Sequence, residues 1–177
     1  MLIVFSGLPG TGKTTLAKTL ADSLNAVYLR IDSIEQALRT SGALRGDVGS
    51  SGYEVANIVA LDNLKIARTV VADCVNPVLE SRTAWADTAR TAGCPLLNIE
   101  ILCSDKRQHQ QRVESRVVDV PGLVAPSWQS VQAHEYEAWG EPTFTIDTAF
   151  TSPETAQKLI LERVSAYAAT HWERVER

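Results

Sequence analysis

A short segment near the amino terminus restricts the possible folds of this 177-residue chain more than any other feature. Leu2–Phe5 is a run of apolar residues typical of a buried β-strand, and GLPGTGKT follows almost at once, at residues 7–14. From Lys13 onward, the apolar residues Leu16 and Leu20 fall at helical spacing. The pattern predicts a buried strand, a glycine-rich turn and a helix in direct succession.

Each part of this turn suits the binding of phosphate, and its sequence matches the pattern G-x-x-x-x-G-K-[ST]. Glycines let the main chain direct its N–H groups inward, where no Cβ blocks a phosphate, and the start of the next helix adds a positive dipole. Lys13 can reach the terminal phosphates of a nucleoside triphosphate, and the Thr14 hydroxyl can ligate Mg²⁺. The predicted nucleotide-binding residues are Gly7, Leu8, Pro9, Gly10, Thr11, Gly12, Lys13, Thr14 and Thr15.

Short apolar runs alternate with helical patterns along the rest of the chain. The other strand candidates are Ala26–Ile31, Thr69–Asp73, Leu96–Cys103 and Phe144–Asp147. Apolar strands separated by helices belong in a parallel sheet that is covered on both faces. We therefore predict one three-layer α/β/α domain over residues 1–177, with a five-stranded parallel sheet and ligands beyond the carboxyl ends of its strands.

The helical patterns between the strands give more detailed expectations. A helix is predicted from about Tyr53 to Ala67, with apolar positions at Val55, Ile58, Val59 and Ile66. A carboxyl-terminal helix beginning at Ser152-Pro153 is predicted to bury Ala156, Leu159, Ile160, Val164 and Tyr167. A glycine-rich loop over 42–52 and a short helix over 127–139 complete the assignment.

Two carboxylates follow predicted strands and are therefore expected at the edge of the sheet that binds ligands. Asp73 could hold Mg²⁺ directly or through water, or it could cap a turn. Asp32 could orient a substrate hydroxyl and accept its proton, or it could cap the helix that begins there. Both alternatives remain open from sequence alone.

Arg112 and Arg116 are four residues apart, which places them on one face of a predicted helix. In a lid over about residues 105–127 they could neutralise charge during phosphoryl transfer, or they could belong to a solvated basic face. Trp128, Tyr136 and Trp139 follow the lid, where they could flank a base or pack in the ordinary way. The three histidines share no spacing with one another, so we expect them at the surface or at the edge of the core.

Composition excludes several classes of protein. Lys and Arg number 17 against 21 Asp and Glu, a net charge of −4, which counts against stable binding to nucleic acid. The three cysteines show neither a disulfide framework nor a zinc-binding pattern, which favours a reducing compartment. No apolar run is long enough to cross a membrane, and no basic signal-peptide start is present. We expect a cytoplasmic protein.

These residues together resemble the small P-loop kinases of the zeta-toxin, chloramphenicol phosphotransferase and polynucleotide-kinase-like grouping, of the AAA_33 type. The resemblance rests on Leu2–Thr15, Arg30–Asp32, Asp73–Pro77 with Arg82, Arg112 with Arg116, and Ile146–Thr148. It implies a P-loop NTPase fold with a helical lid, ATP and Mg²⁺ as cofactors, and phosphoryl transfer to a hydroxyl group.

The resemblance also implies roles for individual residues. Lys13 and Thr14 would contact the phosphates, with Thr14 and Asp73 at the metal, while Asp32 would be the base. Arg112 or Arg116 would act from the lid. The acceptor side would include Asp32, Asp73, Asn76 and Arg82.

One difference from the family pattern bears on the acceptor. Polynucleotide 5′-hydroxyl kinases carry an Arg three residues after the catalytic Asp, and this chain has Glu35 there. Together with the acidic net charge, Glu35 makes a nucleic-acid acceptor unfavourable, so the leading hypothesis is a kinase acting on a small-molecule hydroxyl. The alternatives are a kinase directed at a nucleotide or nucleotide sugar, and a non-catalytic ATP-binding regulatory module.

Overall fold

The computed structural model describes residues 1–42, 46–140 and 143–175, with side chains up to residue 169. The strands are β1 (Leu2–Ser6), β2 (Val27–Arg30), β3 (Val70–Asp73), β4 (Leu96–Leu102) and β5 (Phe144–Asp147). The helices are α1 (Lys13–Ser23), α2 (Ile31–Ser41), α3 (Ser51–Lys65), α4 (Leu79–Thr91), α5 (Lys106–Glu114), α6 (Trp128–Gln132) and α7 (Pro153–Val175). Among the described helices, none has the length and apolarity needed to span a membrane.

The five strands form one parallel sheet in the order β2-β3-β1-β4-β5. Strand β1 is central and fully buried, since it is flanked by β3 and β4 and covered by helices on both faces. Phe5 of β1 pairs with Asp73 of β3, which in turn pairs with Arg30 of β2. This register places the ends of three strands side by side, directly below the predicted phosphate loop.

Alternate residues of β1 point to opposite faces of the sheet, and each face has its own apolar core. The first core, beneath α1 and α7, includes Ile3, Phe5, Leu16, Leu20 and Ile160. The second core, beneath α3 and α4, includes Leu2, Val4, Ala60, Leu64 and Trp85. The predicted three-layer α/β/α arrangement is therefore confirmed.

The larger apolar residues of the predicted helix do not form the buried face of α3. Ile58 and Ile66 are 64% and 69% exposed, and Val55 and Val59 are also exposed. The helix instead buries Ala56, Ala60 and Leu64. Small side chains let α3 approach the sheet and α4 closely, a consequence of packing that apolar periodicity alone does not reveal.

In the carboxyl-terminal helix α7, Ala156, Ile160 and Val164 are buried as predicted. Leu159 is 41% exposed, so its predicted burial is wrong. Its neighbour Ile160 takes the place in the core, because only one of two adjacent positions on a helix can face the sheet centre.

Helix boundaries between β4 and β5 also differ from the prediction. Helix α5 ends at Glu114 with Ser115 as its carboxyl cap, and α6 covers only five residues, Trp128–Gln132. The β-branched pair Val117-Val118 and then Pro121-Gly122 disfavour continuation of the helix. Part of the predicted loop over 42–52, residues 43–45, lies outside the described residues.

Candidate active site

The phosphate loop joins β1 to α1 and takes a shape that requires glycine. Gly7, Gly10 and Gly12 have φ angles of 137°, 86° and 98°, which L side chains rarely adopt. A Cβ at Gly7 would collide with the carbonyl oxygen of Ile101, and one at Gly10 would lie 2.5 Å from Cγ2 of Val113. The loop is thus pressed against β4 and α5 as well as turned toward its cavity.

Lys13, the first residue of α1, is buried inside this loop. Its Nζ donates a hydrogen bond of 2.8 Å to the carbonyl oxygen of Leu8, and the Thr11 hydroxyl donates one of 2.9 Å to the same atom. Burial lowers the pKa of Lys13, while the carboxylates of Asp73 and Asp32 act in the opposite direction. The ammonium group is therefore held where a phosphate oxygen could replace the Leu8 carbonyl as its partner.

Two side chains from outside the loop brace it. The hydroxyl of Thr148, just after β5, lies 2.9 Å from the carbonyl oxygen of Thr11 and 3.0 Å from that of Leu102. Arg112 of α5 donates to the hydroxyl and the carbonyl of Thr148, at 2.8 and 3.0 Å. Because these bonds connect α5, β4 and β5 to the loop, the loop geometry is fixed from outside as well as within.

His109 is a residue of the site that the sequence did not identify. It is buried on α5, and its Nε2 lies 2.8 Å from the carbonyl oxygen of Pro9. The ring of Trp128 packs edge-on against it, with the centroids 5.1 Å apart. His109 and Val113 are four residues apart on α5, and both lie against Gly10. In the sequence, this helical spacing is the only sign that His109 could share a face with a loop contact.

A cavity of about 580 Å³ opens beside the loop and receives most of the predicted site residues. The loop residues that line it are Pro9, Gly10, Gly12, Lys13, Thr14 and Thr15. Gly7, Leu8 and Thr11 lie behind them and shape the loop through the contacts already described. Asp32, Asp73, Arg112 and Arg116 also line it, and other lining residues include Lys18, Arg30, Asp119 and Thr148.

Thr14 and Asp73 offer the oxygen atoms that Mg²⁺ prefers. Asp73 is buried at the end of β3, and its Oδ2 accepts a hydrogen bond of 2.7 Å from the hydroxyl of Tyr28. Among the described residues, no group of three or more His, Cys, Asp and Glu could enclose a metal. One hydroxyl and one carboxylate suit an ion that keeps waters and phosphate oxygens among its ligands.

Asp32 lies in the first turn of α2 and is 39% exposed on its side chain. The helix begins one residue earlier, with Arg30 as the N-cap residue and no side-chain capping hydrogen bond. The carboxylate instead faces two cations, with Oδ2 3.5 Å from Arg30 and 3.6 Å from Arg116. The capping alternative therefore does not describe Asp32.

The two lid arginines occupy different structural contexts. Arg112 is on α5, but Arg116 lies beyond the end of that helix, so the prediction that both share one helical face is wrong. Both still reach the cavity. Arg112 is held by Thr148, whereas the closest described carboxylate to Arg116 is Asp32.

Asn76 and Arg82, predicted on the acceptor side, are not among the residues that line the cavity. Asn76 is fully buried with a φ of 51°, and its Nδ2 donates to the hydroxyl of Ser6. Arg82 donates to the carbonyl oxygens of Asn76, Pro77, Glu137 and Ala138. Their role in acceptor binding stays a prediction, while their contacts hold the backbone after β3.

The aromatic residues after the lid pack in the ordinary way. The guanidinium carbon of Arg82 lies 4.1 Å from the ring centroid of Trp139 and 5.4 Å from that of Tyr136. Tyr136 also donates a hydrogen bond of 3.1 Å to Glu100 on β4. These rings fasten the segment after α6 to α4 and β4.

Sequence comparison finds curated relatives for part of the chain. An uncharacterized protein of Mycobacterium tuberculosis is 33% identical over 91 residues, which are 49% of this chain and 18% of the relative. The mitochondrial Lon protease homolog of Scheffersomyces stipitis is 32% identical over 119 residues, 66% of this chain and 10% of the relative. The chain thus spans less than a fifth of the length of these relatives.

Structural comparison finds the same fold in several solved proteins, among them two kinases. A gluconokinase from Sinorhizobium meliloti superposes with a TM-score of 0.65 at 18% identity, covering 97% of this chain and 95% of that chain. The Mycobacterium tuberculosis APS kinase in complex with AMPPNP and APS gives 0.66 at 16% identity, with coverages of 93% and 96%. Chaetomium thermophilum Kti12 in complex with ADP-AlF3 gives 0.62 at 18% identity, with coverages of 94% and 98%.

The family model described as AAA domain, AAA_33, matches residues 2–124, more than half of the chain. This match covers β1, the phosphate loop, Asp32, Asp73 and most of the predicted lid. The predicted kinase-like grouping is confirmed, and the chain belongs to the AAA_33 family of P-loop proteins.

Proposed function

We propose that this protein is an ATP- and Mg²⁺-dependent phosphotransferase that moves the γ-phosphate to a hydroxyl of a small molecule. One observation carries the proposal: a single cavity joins the phosphate loop and Lys13 to the carboxylate of Asp32. A loop that only bound nucleotide would not need a carboxylate on the opposite wall. The gluconokinase and the APS kinase of the same fold support a small-molecule acceptor.

The position of each residue in the cavity suggests its role in phosphoryl transfer. ATP with Mg²⁺ supplies the phosphoryl group and part of the charge neutralisation when bound. Lys13 and the N–H groups of the loop hold the phosphates, and Thr14 and Asp73 would hold the metal. Asp32 orients the acceptor hydroxyl and takes its proton. Arg112 and Arg116 stabilise the negative charge that develops on the transferred group.

The contact between Arg116 and Asp32 gives the lid a second task. At 3.6 Å the pair is weak and partly exposed, so it breaks readily when stronger partners arrive. The γ-phosphate of bound ATP would attract Arg116 away from Asp32. The hydroxyl of a bound acceptor would then replace Arg116 as the partner of the Asp32 carboxylate. Arrival of both substrates therefore releases Arg116 and Asp32 for transfer.

The decisive experiment separates binding from transfer. Consumption of ATP is measured with a panel of polyols, sugars, hydroxy acids and nucleosides, and binding of AMP-PNP is measured by calorimetry. We expect Asp32→Asn to reduce acceptor-dependent turnover at least about 100-fold with nearly normal AMP-PNP affinity. Lys13→Ala should abolish turnover and also weaken the affinity for nucleotide.

Asp62→Asn is a matched control, because Asp62 is an exposed carboxylate of α3 outside the cavity. It should leave both measurements unchanged. Normal turnover in Asp32→Asn would remove this residue from the mechanism. AMP-PNP binding without transfer to any acceptor class would instead support the alternative, a regulatory module that binds ATP.

A further inference from the structure

Two cations from distant parts of the chain meet in the wall of the reaction cavity. Lys18 projects from α1, and Arg30 ends β2. Each holds one oxygen of the Asp119 carboxylate, with Lys18 Nζ 2.6 Å from Oδ2 and Arg30 Nη1 2.7 Å from Oδ1. Lys18 and Arg30 therefore already bind one oxyanion, the Asp119 carboxylate, through a charge-assisted hydrogen bond to each of its two oxygens.

Arg30 is too deeply buried for an ordinary surface ion pair. Its side chain is only 5% exposed, whereas that of Asp119 is 47% exposed. Among the described residues, its Nε has no hydrogen-bond partner, and its contact with Asp32 is long at 3.5 Å. Burying a guanidinium group without full pairing is costly. Asp119 and Asp32 thus leave the guanidinium group of Arg30 incompletely paired.

The electrostatics favour an anion at this position. Hydrogen bonds from Lys18 and Arg30 hold the pKa of Asp119 well below its usual range. Asp119 belongs to the non-helical segment after α5, and its side chain is about half exposed. Because the side chains of Asp119 and Lys18 are both about half exposed, a soluble anion can approach the two cations from solvent and exchange with this carboxylate.

The location ties this anion site to the acceptor. The guanidinium of Arg30 faces Asp119 through Nη1 and the proposed base Asp32 through Nη2. A recess of about 450 Å³ adjoins both cations, and it is lined on α2 by the polar residues Ser33, Gln36 and Thr40. An acceptor could place its anion on the cations, its hydroxyl beside Asp32 and further hydroxyls along α2.

We propose that Lys18 and Arg30 form an oxyanion subsite, so that the acceptor is a small hydroxyl compound bearing a carboxylate or a phosphate. This inference rests on the proposed function for the identity of the acceptor. Asp119 occupies the subsite until the acceptor arrives. The same subsite would discriminate against neutral polyols, which offer the two cations no charge.

The test compares three probes of similar size: glycerol, D-glycerate and glycerol 3-phosphate. Each is titrated at constant ionic strength into the full chain saturated with AMP-PNP and Mg²⁺, and thermal unfolding gives the half-saturating concentration. We expect both anions, or one of them, to raise the melting midpoint, while glycerol does not. The difference between D-glycerate and glycerol 3-phosphate tells a carboxylate site from a phosphate site.

Two exposed substitutions assign the effect to the subsite. Lys18→Gln should raise the half-saturating concentration of the anion about tenfold, and Asp119→Asn should lower it about tenfold. Lys65→Gln removes an exposed cation at the end of α3 and should leave it unchanged. Equal responses in wild type, Lys18→Gln and Asp119→Asn would overturn the proposal, and so would the absence of any anion response in Asp119→Asn.

Failure of the proposed function is recognised separately. If AMP-PNP with Mg²⁺ alone gives no change in melting midpoint, nucleotide binding fails. The anion titrations still test the subsite in that case. An affinity that rises from Lys18→Gln through wild type to Asp119→Asn supports it, and equal affinities contradict it.

Discussion

The phosphate loop and the segment that follows α5 face the same cavity, yet different forces hold them in place. The loop depends on main-chain geometry and on partly buried hydrogen bonds to Thr148 and His109. The segment after α5 depends on ion pairs of Arg116 and Asp119 with cavity residues, and each of those pairs has at least one member that is 39% or more exposed. Hydrogen bonds within a packed loop keep one shape, whereas ion pairs with an exposed member exchange partners more readily.

This difference matches the two tasks of the proposed reaction. The phosphates of every nucleotide are alike, so a fixed cradle of N–H groups suits them. The acceptor must enter and leave, so charged groups that can change partners suit the opposite wall. We therefore expect substitutions in the loop to affect stability far more than substitutions in the lid.

The largest effect is expected from Gly7→Ala. The added Cβ would collide with the carbonyl oxygen of Ile101, and the φ angle of 137° strains any L side chain. We expect a loss of about 3 kcal/mol or more in the free energy of unfolding, measured by denaturant titration. Gly140→Ala is the control, because no heavy atom lies near a Cβ there. Equal stability of the two variants would show that the loop is not rigid.

A smaller effect is expected from Thr148→Val, which keeps the volume but removes the hydroxyl. The carbonyl oxygen of Thr11 loses a donor, and Arg112 loses an acceptor. We expect a destabilisation of about 1–2 kcal/mol and weaker AMP-PNP binding by calorimetry. Thr145→Val, at an exposed position of β5, should change neither quantity appreciably. An unchanged nucleotide affinity in Thr148→Val would mean that the bracing does not shape the loop.

The pH dependence of nucleotide binding should reveal the state of Lys13. In the protein without nucleotide, burial lowers the pKa of Lys13 below its ordinary value of 10.5. A bound triphosphate should raise this pKa again, because its negative charge favours the protonated amine. At pH values between the pKa of Lys13 without nucleotide and its pKa in the complex, nucleotide binding takes up protons. The affinity for nucleotide therefore falls as the pH rises toward the ordinary pKa of lysine. Calorimetry at alkaline pH in two buffers of different ionisation enthalpy measures the uptake, at most one proton per nucleotide.

Lys13→Arg provides the control for this titration, because a guanidinium group stays protonated throughout the range. Its proton uptake should disappear even where some affinity remains. Release of protons by the wild type would reverse the sign that burial of Lys13 requires.

The smallest effect is expected in the lid. A double-mutant cycle with Lys18→Gln and Asp119→Asn should give a coupling below about 1 kcal/mol, because both side chains are about half exposed. Raising the salt concentration to about 1 M should remove most of it. A coupling above about 2 kcal/mol that resists salt would show that the lid is as firmly held as the loop.

The sequence predicted the site best where local chemistry is sufficient. The glycine pattern of Gly7–Thr14 predicts a turn with inward N–H groups from neighbouring residues alone. Uniformly apolar β1 and β3 likewise required a sheet buried on both faces, which the structure confirms. These features depend on neighbouring residues and on few long-range contacts.

Features that depend on helix packing were predicted less well. Large apolar residues such as Ile58 do not reveal the buried face of α3, because close packing buries Ala56 and Ala60 instead. Arg116 was placed on a helix that ends at Glu114. In both cases the helical spacing is present in the sequence. Packing against distant elements decided which residues of α3 are buried, and where α5 ends.

By itself, the sequence determined the family, the parallel sheet and the phosphate loop, because glycines and an apolar strand fix backbone shape locally. Only the tertiary structure brought His109 and Thr148 to that loop and joined Lys18, Arg30 and Asp119 across the chain. Hydrogen bonds and ion pairs act over a few ångströms, so residues far apart in sequence combine only after the sheet and its helices have set their distances.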